Sequence, residues 1–153
     1  MPPRSDTVAT LAAGTFAGAQ LMIGVSFGAQ WSQMSAAELA ARFSGDWVNI
    51  ATTIIPFALL QTVAIPFSLY RAWGDAPARR WWTLSLATWL INCAITAIYH
   101  FPIVWTAMQG GYPPTEISAV VETWVMVHWV RIALGYFTFF FALQATLRGG
   151  TAS

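Results

Sequence analysis

Residues 119–143 read AVVETWVMVHWVRIALGYFTFFFAL, an apolar run in which only Glu122, His128 and Arg131 can carry charge. The run is long enough to cross a hydrocarbon core of about 30 Å as a helix that rises about 1.5 Å per residue. Because lipid offers the backbone no hydrogen-bond partners, the run is predicted to be helical. Three similar apolar runs precede it, so the fold is predicted to consist of membrane-spanning helices.

Hydropathy places the other three predicted spans at residues 8–29, 47–69 and 82–103, separated by short polar breaks. The whole chain agrees with a membrane location: its 153 residues are 57% hydrophobic and 8% charged, whereas soluble domains carry about 25% charged residues. Short connections favour antiparallel neighbours. We therefore predict an all-α fold, a single-domain antiparallel bundle of four transmembrane helices with the lipid bilayer around it and no nucleic-acid partner.

The basic residues, all arginines, are distributed unevenly between the two predicted faces of the membrane. Only Arg42 falls on the side of the first and third loops, whereas the other side has Arg4, Arg71, Arg79, Arg80 and Arg148. The positive-inside rule then predicts that both termini are cytoplasmic, in a bacterial-type inner or plasma membrane. Indoles prefer the membrane interface, and six tryptophans lie near predicted span ends: Trp31, Trp47, Trp73, Trp81, Trp82 and Trp105.

The first span contains two GxxxG motifs, formed by Gly14 with Gly18 and by Gly24 with Gly28. Glycine has no Cβ, so helices that meet at such motifs approach closely and gain dispersion contacts. The motifs predict tight packing within the bundle or between the protomers of a homo-oligomer.

Polar side chains in the third span recur every three or four residues, which puts them on one helical stripe facing the bundle interior. They are Ser85, Thr88, Asn92, Thr96, Tyr99 and His100. On the fourth span, Trp124, His128 and Arg131 share one face by the same spacing. Arg131 is near mid-membrane, where an arginine costs about 2.5–3.5 kcal/mol even on a lenient scale. It is therefore expected to point inward and to be paired.

Antiparallel packing brings Asn92 to a depth similar to that of Arg131, and Gln20 and Gln61 also lie near mid-span. No carboxylate lies equally deep, so neutral acceptors are expected to hold the guanidinium. That arrangement leaves some of its donors for an anionic or carbonyl-bearing ligand. A purely structural arginine is the other interpretation.

Further polar groups are expected in the outer half of the bundle. His100 precedes Pro102, which can end or bend a helix, and Asn49 of the second span lies at a similar level. With Trp124 and Asn92, these side chains are predicted to line a pocket for a small apolar or aromatic ligand.

Three patches of the sequence resemble the anthrone-oxygenase-like family of small four-helix membrane proteins: LAAGTFAGAQ (11–20), TAIYHFPIVW (96–105) and ETWVMVHWVRIAL (122–134). The last is the most specific, since Trp124, His128 and Arg131 match a W-x3-H-x2-R pattern. Where the family often has Asn after the Pro-Ile pair, this chain has Val104.

The resemblance implies that a polycyclic phenolic ketone is oxidised to a quinone by dioxygen, without metal, flavin or other cofactor. His128 would accept a proton, as imidazoles do near neutral pH. Arg131 would stabilise the resulting enolate or phenolate, and Trp124 would stack on the rings.

Two other functions are considered. One is a non-catalytic membrane subunit or small-ligand or lipid-binding protein, in which His128 and Arg131 only hold helices together. The other, less favoured, is bis-histidine haem or metal ligation by His100 and His128. Their depths are expected to differ by roughly 8–10 Å from the helical rise, so no metal site is predicted.

Overall fold

A computed structural model describes residues 5–149; residues 1–4 and 150–153, and with them Arg4, lie outside the described range. Four helices account for most of the described chain: α1 Ser5–Trp31, α2 Ala36–Arg71, α3 Ala76–Met108 and α4 Pro114–Gly149. All four are long and apolar enough to cross a membrane, and no strand occurs between residues 5 and 149. The predicted all-α four-helix fold is confirmed, and the chain has the architecture of an integral membrane protein.

Contacts between distant residues show that the helices alternate in direction. The α1–α4 contact joins Gly14 to Phe139 at one level and Gly28 to Val125 at another, so the two helices are antiparallel. We call the end with Ser5, Gly149 and the connection 72–75 the terminal end. The end with the connections 32–35 and 109–113 is the distal end.

Local sequence signals explain where the helices begin. Ser35 caps α2 in a reciprocal capping box with Glu38, in which each residue satisfies a backbone N–H of the other. Asp75 caps α3 by accepting a hydrogen bond from the Ala78 N–H. Because the capped helices begin in polar sequence, at Ala36 and Ala76, they are longer than the apolar spans predicted from hydropathy.

Two helices contain a π-helical turn, at Ile23–Phe27 in α1 and Thr96–His100 in α3. Each turn inserts an extra residue into the helical repeat and so rotates the side chains that follow. Such turns are rare and occur frequently at functional sites. Both lie in the distal half of the bundle, and hydropathy did not predict either of them.

The glycines of α1 pack mainly inside the bundle. A Cβ on Gly24 would lie 2.6 Å from Ile132 Cδ1, and one on Gly14 would lie 3.1 Å from the Phe139 ring. Gly28 faces Val125 in the same way. Gly18 alone of the four has open space at its Cβ position. Three of the four glycines therefore serve the α1–α4 contact, which is one of the two packing modes that the motifs predicted.

The tryptophans near the span ends do not all occupy the interface. Trp73 and Trp105 are exposed, as expected for anchors, but only 2% of Trp31 and 1% of Trp82 are accessible. The prediction was wrong for these two, because proximity to a span end fixes depth and not the direction of the ring. Trp31 instead belongs to an aromatic cluster under the distal end.

Candidate functional site

A buried polar network surrounds Arg131 at the centre of the bundle. Its Nε donates to Asn92 Oδ1 at 3.1 Å, and Asn92 Nδ2 donates to the Arg131 carbonyl at 3.0 Å. Asn92 is fully buried and Arg131 is 5% exposed. One amide therefore binds both the side chain and the backbone of the arginine, and it fixes α3 against α4 at this level. The predicted contact between Asn92 and Arg131 is present.

Gln20 of α1 completes the network. Its amide can be placed in two ways, and in one of them it bonds only to Asn92, at 3.3 Å. In the other, Gln20 Nε2 donates to the Arg131 carbonyl at 3.0 Å and Oε1 accepts from Arg131 Nη2 at 3.2 Å. We assign the second orientation, because a bond from a charged donor is stronger than one between neutral amides. Arg131 is then held by α1 as well as α3.

Both ring nitrogens of His128 are engaged in the same network. Nε2 lies 3.0 Å from the Gln20 carbonyl, and Nδ1 lies 3.4 Å from Arg131 Nη1. A carbonyl only accepts and a guanidinium only donates, so the proton of the neutral ring is on Nε2 and the lone pair on Nδ1 faces Arg131. His128 therefore acts here as a bridge between α1 and Arg131.

Trp124 lies one turn distal to His128 and stacks on it, with ring centroids 5.2 Å apart and an angle of 9° between the planes. Its ring is the centre of an aromatic cluster. The other rings that contact it, at centroid distances of 4.6–6.1 Å, are Trp31, Phe43, Trp47 and His100. Only 1% of Trp124 is exposed, and its Nε1 has no hydrogen-bond partner among the described residues.

His100 lies against Trp124 and closes the cluster on the α3 side. It is fully buried, at the end of the π-helical turn, and its ring centroid is 4.6 Å from that of Trp124. Neither Nδ1 nor Nε2 has hydrogen-bond geometry to a partner within residues 5–149, although the Ile95 carbonyl lies near the ring. Unpaired buried polar atoms are uncommon in native proteins, and each calls for an explanation such as a ligand or a water molecule.

The rings of His100 and His128 are 5.9 Å apart. The depth difference of roughly 8–10 Å was expected from the helical rise along the backbones, and it did not predict that the two rings lie this close. Even so, His128 has no nitrogen lone pair available for a haem iron, since its Nδ1 accepts from Arg131. Among the described residues, no group of three or more His, Cys, Asp or Glu could hold a metal ion.

Two other polar residues considered in the sequence are placed apart from this cluster. Asn49 is exposed and lines a groove of about 110 Å³ between α1 and α2, so its expected place in the pocket is corrected. It lies next to Ile50, on the edge of the face of α2 that packs inward. Gln61 is buried, but its amide makes no hydrogen bond to any described residue and it does not reach Arg131.

The polar stripe of α3 continues from Asn92 toward the terminal end as hydrogen bonds between helices. Ser85 Oγ donates to the Thr138 carbonyl at 2.9 Å, and Thr138 Oγ1 donates to Thr88 Oγ1 at 2.9 Å. These hydroxyls join α3 to α4 and bring no unpaired group into the core. The part of the stripe toward the terminal end therefore serves helix–helix contact. The unpaired nitrogens of His100 lie in the part toward the distal end.

No protein-family model, curated protein or solved structure matches this chain. The resemblance to the anthrone-oxygenase-like family therefore stays a prediction, carried by the three patches of sequence.

Sequence reasoning placed four of the site residues, Trp124, His128, Arg131 and Asn92, in one location. It did not predict that Trp31, Phe43 and Trp47 surround Trp124, because a tryptophan near a span end has the same sequence signal whether it faces lipid or the core. It also treated Gln20 only as one of several acceptors, whereas Gln20 contacts both Arg131 and His128.

Proposed function

We propose that this chain is a membrane-embedded, cofactor-independent oxygenase-like protein that acts on an apolar aromatic or quinone-like molecule bound beside Trp124 and His100, whose own rings are in contact at 4.6 Å. The observation that supports it is the set of three unpaired polar atoms at this place: both ring nitrogens of His100 and Nε1 of Trp124. A ligand with carbonyl and hydroxyl groups on flat rings would stack with the aromatic side chains and pair with these atoms.

In this proposal His100, rather than His128, is the proton acceptor. A general base needs a free lone pair directed at the substrate. Both nitrogens of His128 are engaged by Gln20 and Arg131, whereas those of His100 are free of bonds to described residues. His128 and Arg131 then act as a fixed, positively charged group beneath the substrate.

The chemistry proposed is the oxidation of a ring methylene to a carbonyl. His100 removes a proton from the methylene or an adjacent phenol, and the resulting anion is stabilised by the charge of Arg131. The anion is oxidised by dioxygen, which forms a carbon–oxygen bond, and the resulting peroxide takes the proton back from His100 to give a hydroperoxide. Loss of water from the hydroperoxide gives the quinone carbonyl, so one O2 is consumed and one H2O released for each methylene oxidised.

The proposed route of entry is from the membrane, because His100 and Trp124 are closed off from solvent. A cleft of about 470 Å³ between α2 and α3 is lined by Trp47, Pro56 and Met108. Trp47 also contacts Trp124, with ring centroids 6.1 Å apart. An apolar molecule dissolved in the distal leaflet would reach Trp124 by displacing Trp47.

The experiment is to supply a hydroxylated anthrone and dioxygen to the purified protein in lipid nanodiscs, and to follow oxygen uptake and quinone absorbance. His100→Phe is expected to lower turnover by at least about a hundredfold, the usual contribution of a general base. Trp124→Phe tests the stacking surface, with Trp129→Phe as its control, since Trp129 is an exposed tryptophan on the same helix. Equal turnover with and without wild-type protein would reject the oxygenase proposal.

A second candidate is supported by the network itself. Arg131, Asn92, Gln20 and His128 satisfy one another across three helices, which is what a purely structural lock would show. In that case the chain is a non-catalytic subunit or a small-ligand or lipid-binding protein. Both candidates expect Arg131→Met to be destabilised, so His100→Phe separates them: loss of turnover in a folded variant supports the oxygenase, whereas wild-type protein without turnover supports the lock alone.

We also propose that both termini are cytoplasmic. Within the described range, Arg71, Arg79, Arg80 and Arg148 lie at the terminal end and only Arg42 at the distal end. Reporter fusions test this: a C-terminal green fluorescent protein, which fluoresces only on the cytoplasmic side of a bacterial membrane, is expected to be bright. If instead a C-terminal fusion to a phosphatase that works only in the periplasm were active, the orientation would be the opposite of the one proposed.

A further inference from the structure

A cavity at the distal end is separated from Trp124 by Trp31, whose ring contacts both. It has a volume of about 350 Å³ and lies between the end of α1, the start of α2 and the first turns of α4. Its apolar wall includes Trp31, Met34 and Val121, and its polar wall includes Ser118 and Glu122. Trp31 is a fixed part of this wall, because its Nε1 donates to Asp46 Oδ2 at 3.0 Å.

Glu122 has no partner in the described chain. The one ion pair recorded between residues 5 and 149 joins Arg42 to Asp46, at 3.6 Å. Glu38, also at this end, is held by Ser35 in the capping box. Glu122 is exposed at the rim of the cavity and has no hydrogen bond or counterion among the described residues.

The distal end carries a net negative charge, like the Glu122 side chain in the wall of the cavity. Four carboxylates lie there against the single guanidinium of Arg42: Glu38, Asp46, Glu116 and Glu122. The summed field of such a surface raises the local concentration of cations and lowers that of anions. An anionic ligand is therefore disfavoured at Glu122, and a cationic one is favoured.

We propose that this cavity binds the ammonium group of an amphiphilic cation. The charged head lies against Glu122, with Ser118 as a second acceptor one turn away, and the apolar chain lies along Val121, Met34 and Trp31. The same chemistry is offered by two sources, an ethanolamine-type lipid headgroup and a free organic amine with an apolar chain. The site is separate from His100 and does not depend on the oxygenase proposal.

The first experiment is a calorimetric titration of octylammonium, a primary ammonium with three N–H donors, into the purified protein in neutral maltoside micelles. Glu122→Gln is expected to weaken binding at least about tenfold, since it removes a charge-assisted contact. Glu116→Gln is the matched control, because Glu116 carries the same charge on the same helix but does not line the cavity. It is expected to bind like the wild type.

Three results would overturn the proposal. One is unchanged binding in Glu122→Gln. Another is an equal loss in Glu116→Gln, which would mean that only the overall surface charge matters. The third is equally tight binding of octanol, which would mean that the apolar wall alone attracts the chain. Circular dichroism of each variant checks that the helices are retained.

The second experiment distinguishes the two sources. Native mass spectrometry compares the wild type with Glu122→Gln after reconstitution with phosphatidylethanolamine and phosphatidylglycerol. Retention of the ethanolamine lipid by the wild type, lost in the variant, identifies a lipid headgroup as the occupant. Binding of octylammonium without lipid retention identifies a free amine, and failure of the wild type to bind either rejects the site.

Discussion

The two halves of the site differ in how their polar groups are satisfied. Around Arg131, every named side chain bonds to another: Asn92 and Gln20 hold the guanidinium, and His128 joins Arg131 to α1. One turn away, His100 and Trp124 are just as deeply buried, yet three of their polar atoms have no partner among the described residues. The first half resembles a structural contact that locks helices together, and the second resembles a ligand-binding site.

The residues that stabilise the fold, around Arg131, therefore differ from those proposed to bind the substrate, His100 and Trp124. Hydrogen bonds that connect helices stabilise the folded protein, whereas an unpaired buried group costs free energy. Substitutions in the Arg131 network should therefore destabilise the protein, and substitutions at His100 should not. The stability of variants in each half tests this contrast.

Arg131→Met is expected to have the largest effect on stability. It removes the side-chain bonds to Asn92, Gln20 and His128 and leaves one buried acceptor atom of each without a donor. At about 0.6 kcal/mol for each hydrogen bond within a membrane protein, the loss is about 2 kcal/mol. The measurement is thermal unfolding in detergent, followed by circular dichroism.

The control for this variant is Arg42→Met, because the Arg42 side chain is about half exposed in its pair with Asp46. A surface pair of this kind contributes at most about 1 kcal/mol. If Arg131→Met were as stable as Arg42→Met, the network would not be a lock, and its bonds would have to be replaced by water.

Gly135→Ala is expected to loosen the same network indirectly, by about 1 kcal/mol, the value of two bonds to Gln20. A Cβ at Gly135 would lie 2.5 Å from the Gln20 amide and 3.5 Å from the Ala17 Cα, so Gln20 must move away from Arg131. Gly18→Ala is the control, since nothing lies within 4 Å of its Cβ position. Equal stability of the two variants in the same unfolding assay would show that Gln20 adds little.

The sequence was sufficient for the parts of the site that depend on helical periodicity. Spacing placed Trp124, His128 and Arg131 on one face, and antiparallel counting brought Asn92 to the depth of Arg131. Both inferences use only a uniform rise and a turn of 3.6 residues. They hold because α4 is an uninterrupted α-helix from Pro114 to Gly149.

The errors occur where that regularity fails. His100 ends a π-helical turn, and depths counted on regular helices did not predict that its ring lies 5.9 Å from the ring of His128. No residue pattern in this chain marks such a turn. Asn49 was placed by depth alone, and a residue at the right depth can still face outward. Its neighbour Ile50 takes the inward position instead.

Ser85→Ala tests the hydroxyl contacts at a smaller scale. It removes one bond between helices, from Ser85 Oγ to the Thr138 carbonyl, so about 0.6 kcal/mol should be lost. The control is Thr83→Val, whose hydroxyl bonds only to the Arg79 carbonyl of its own helix. A loss in Ser85→Ala of more than about twice the expected value would mean that Thr138 and Thr88 move with Ser85, as members of one network do.

His100→Phe is expected to have the smallest effect on stability, even though it replaces a fully buried polar residue. The ring nitrogens have no bonds to described residues to lose, and phenylalanine keeps a flat ring beside Trp124. Replacing an unpaired buried polar group with an apolar group of similar shape is nearly neutral or stabilising. Thermal unfolding should therefore give a midpoint equal to or above that of the wild type, whereas turnover or ligand binding should be lost. A midpoint as low as that of Arg131→Met would contradict the contrast drawn here, because it would show that His100 is bonded in the folded protein and belongs to the lock.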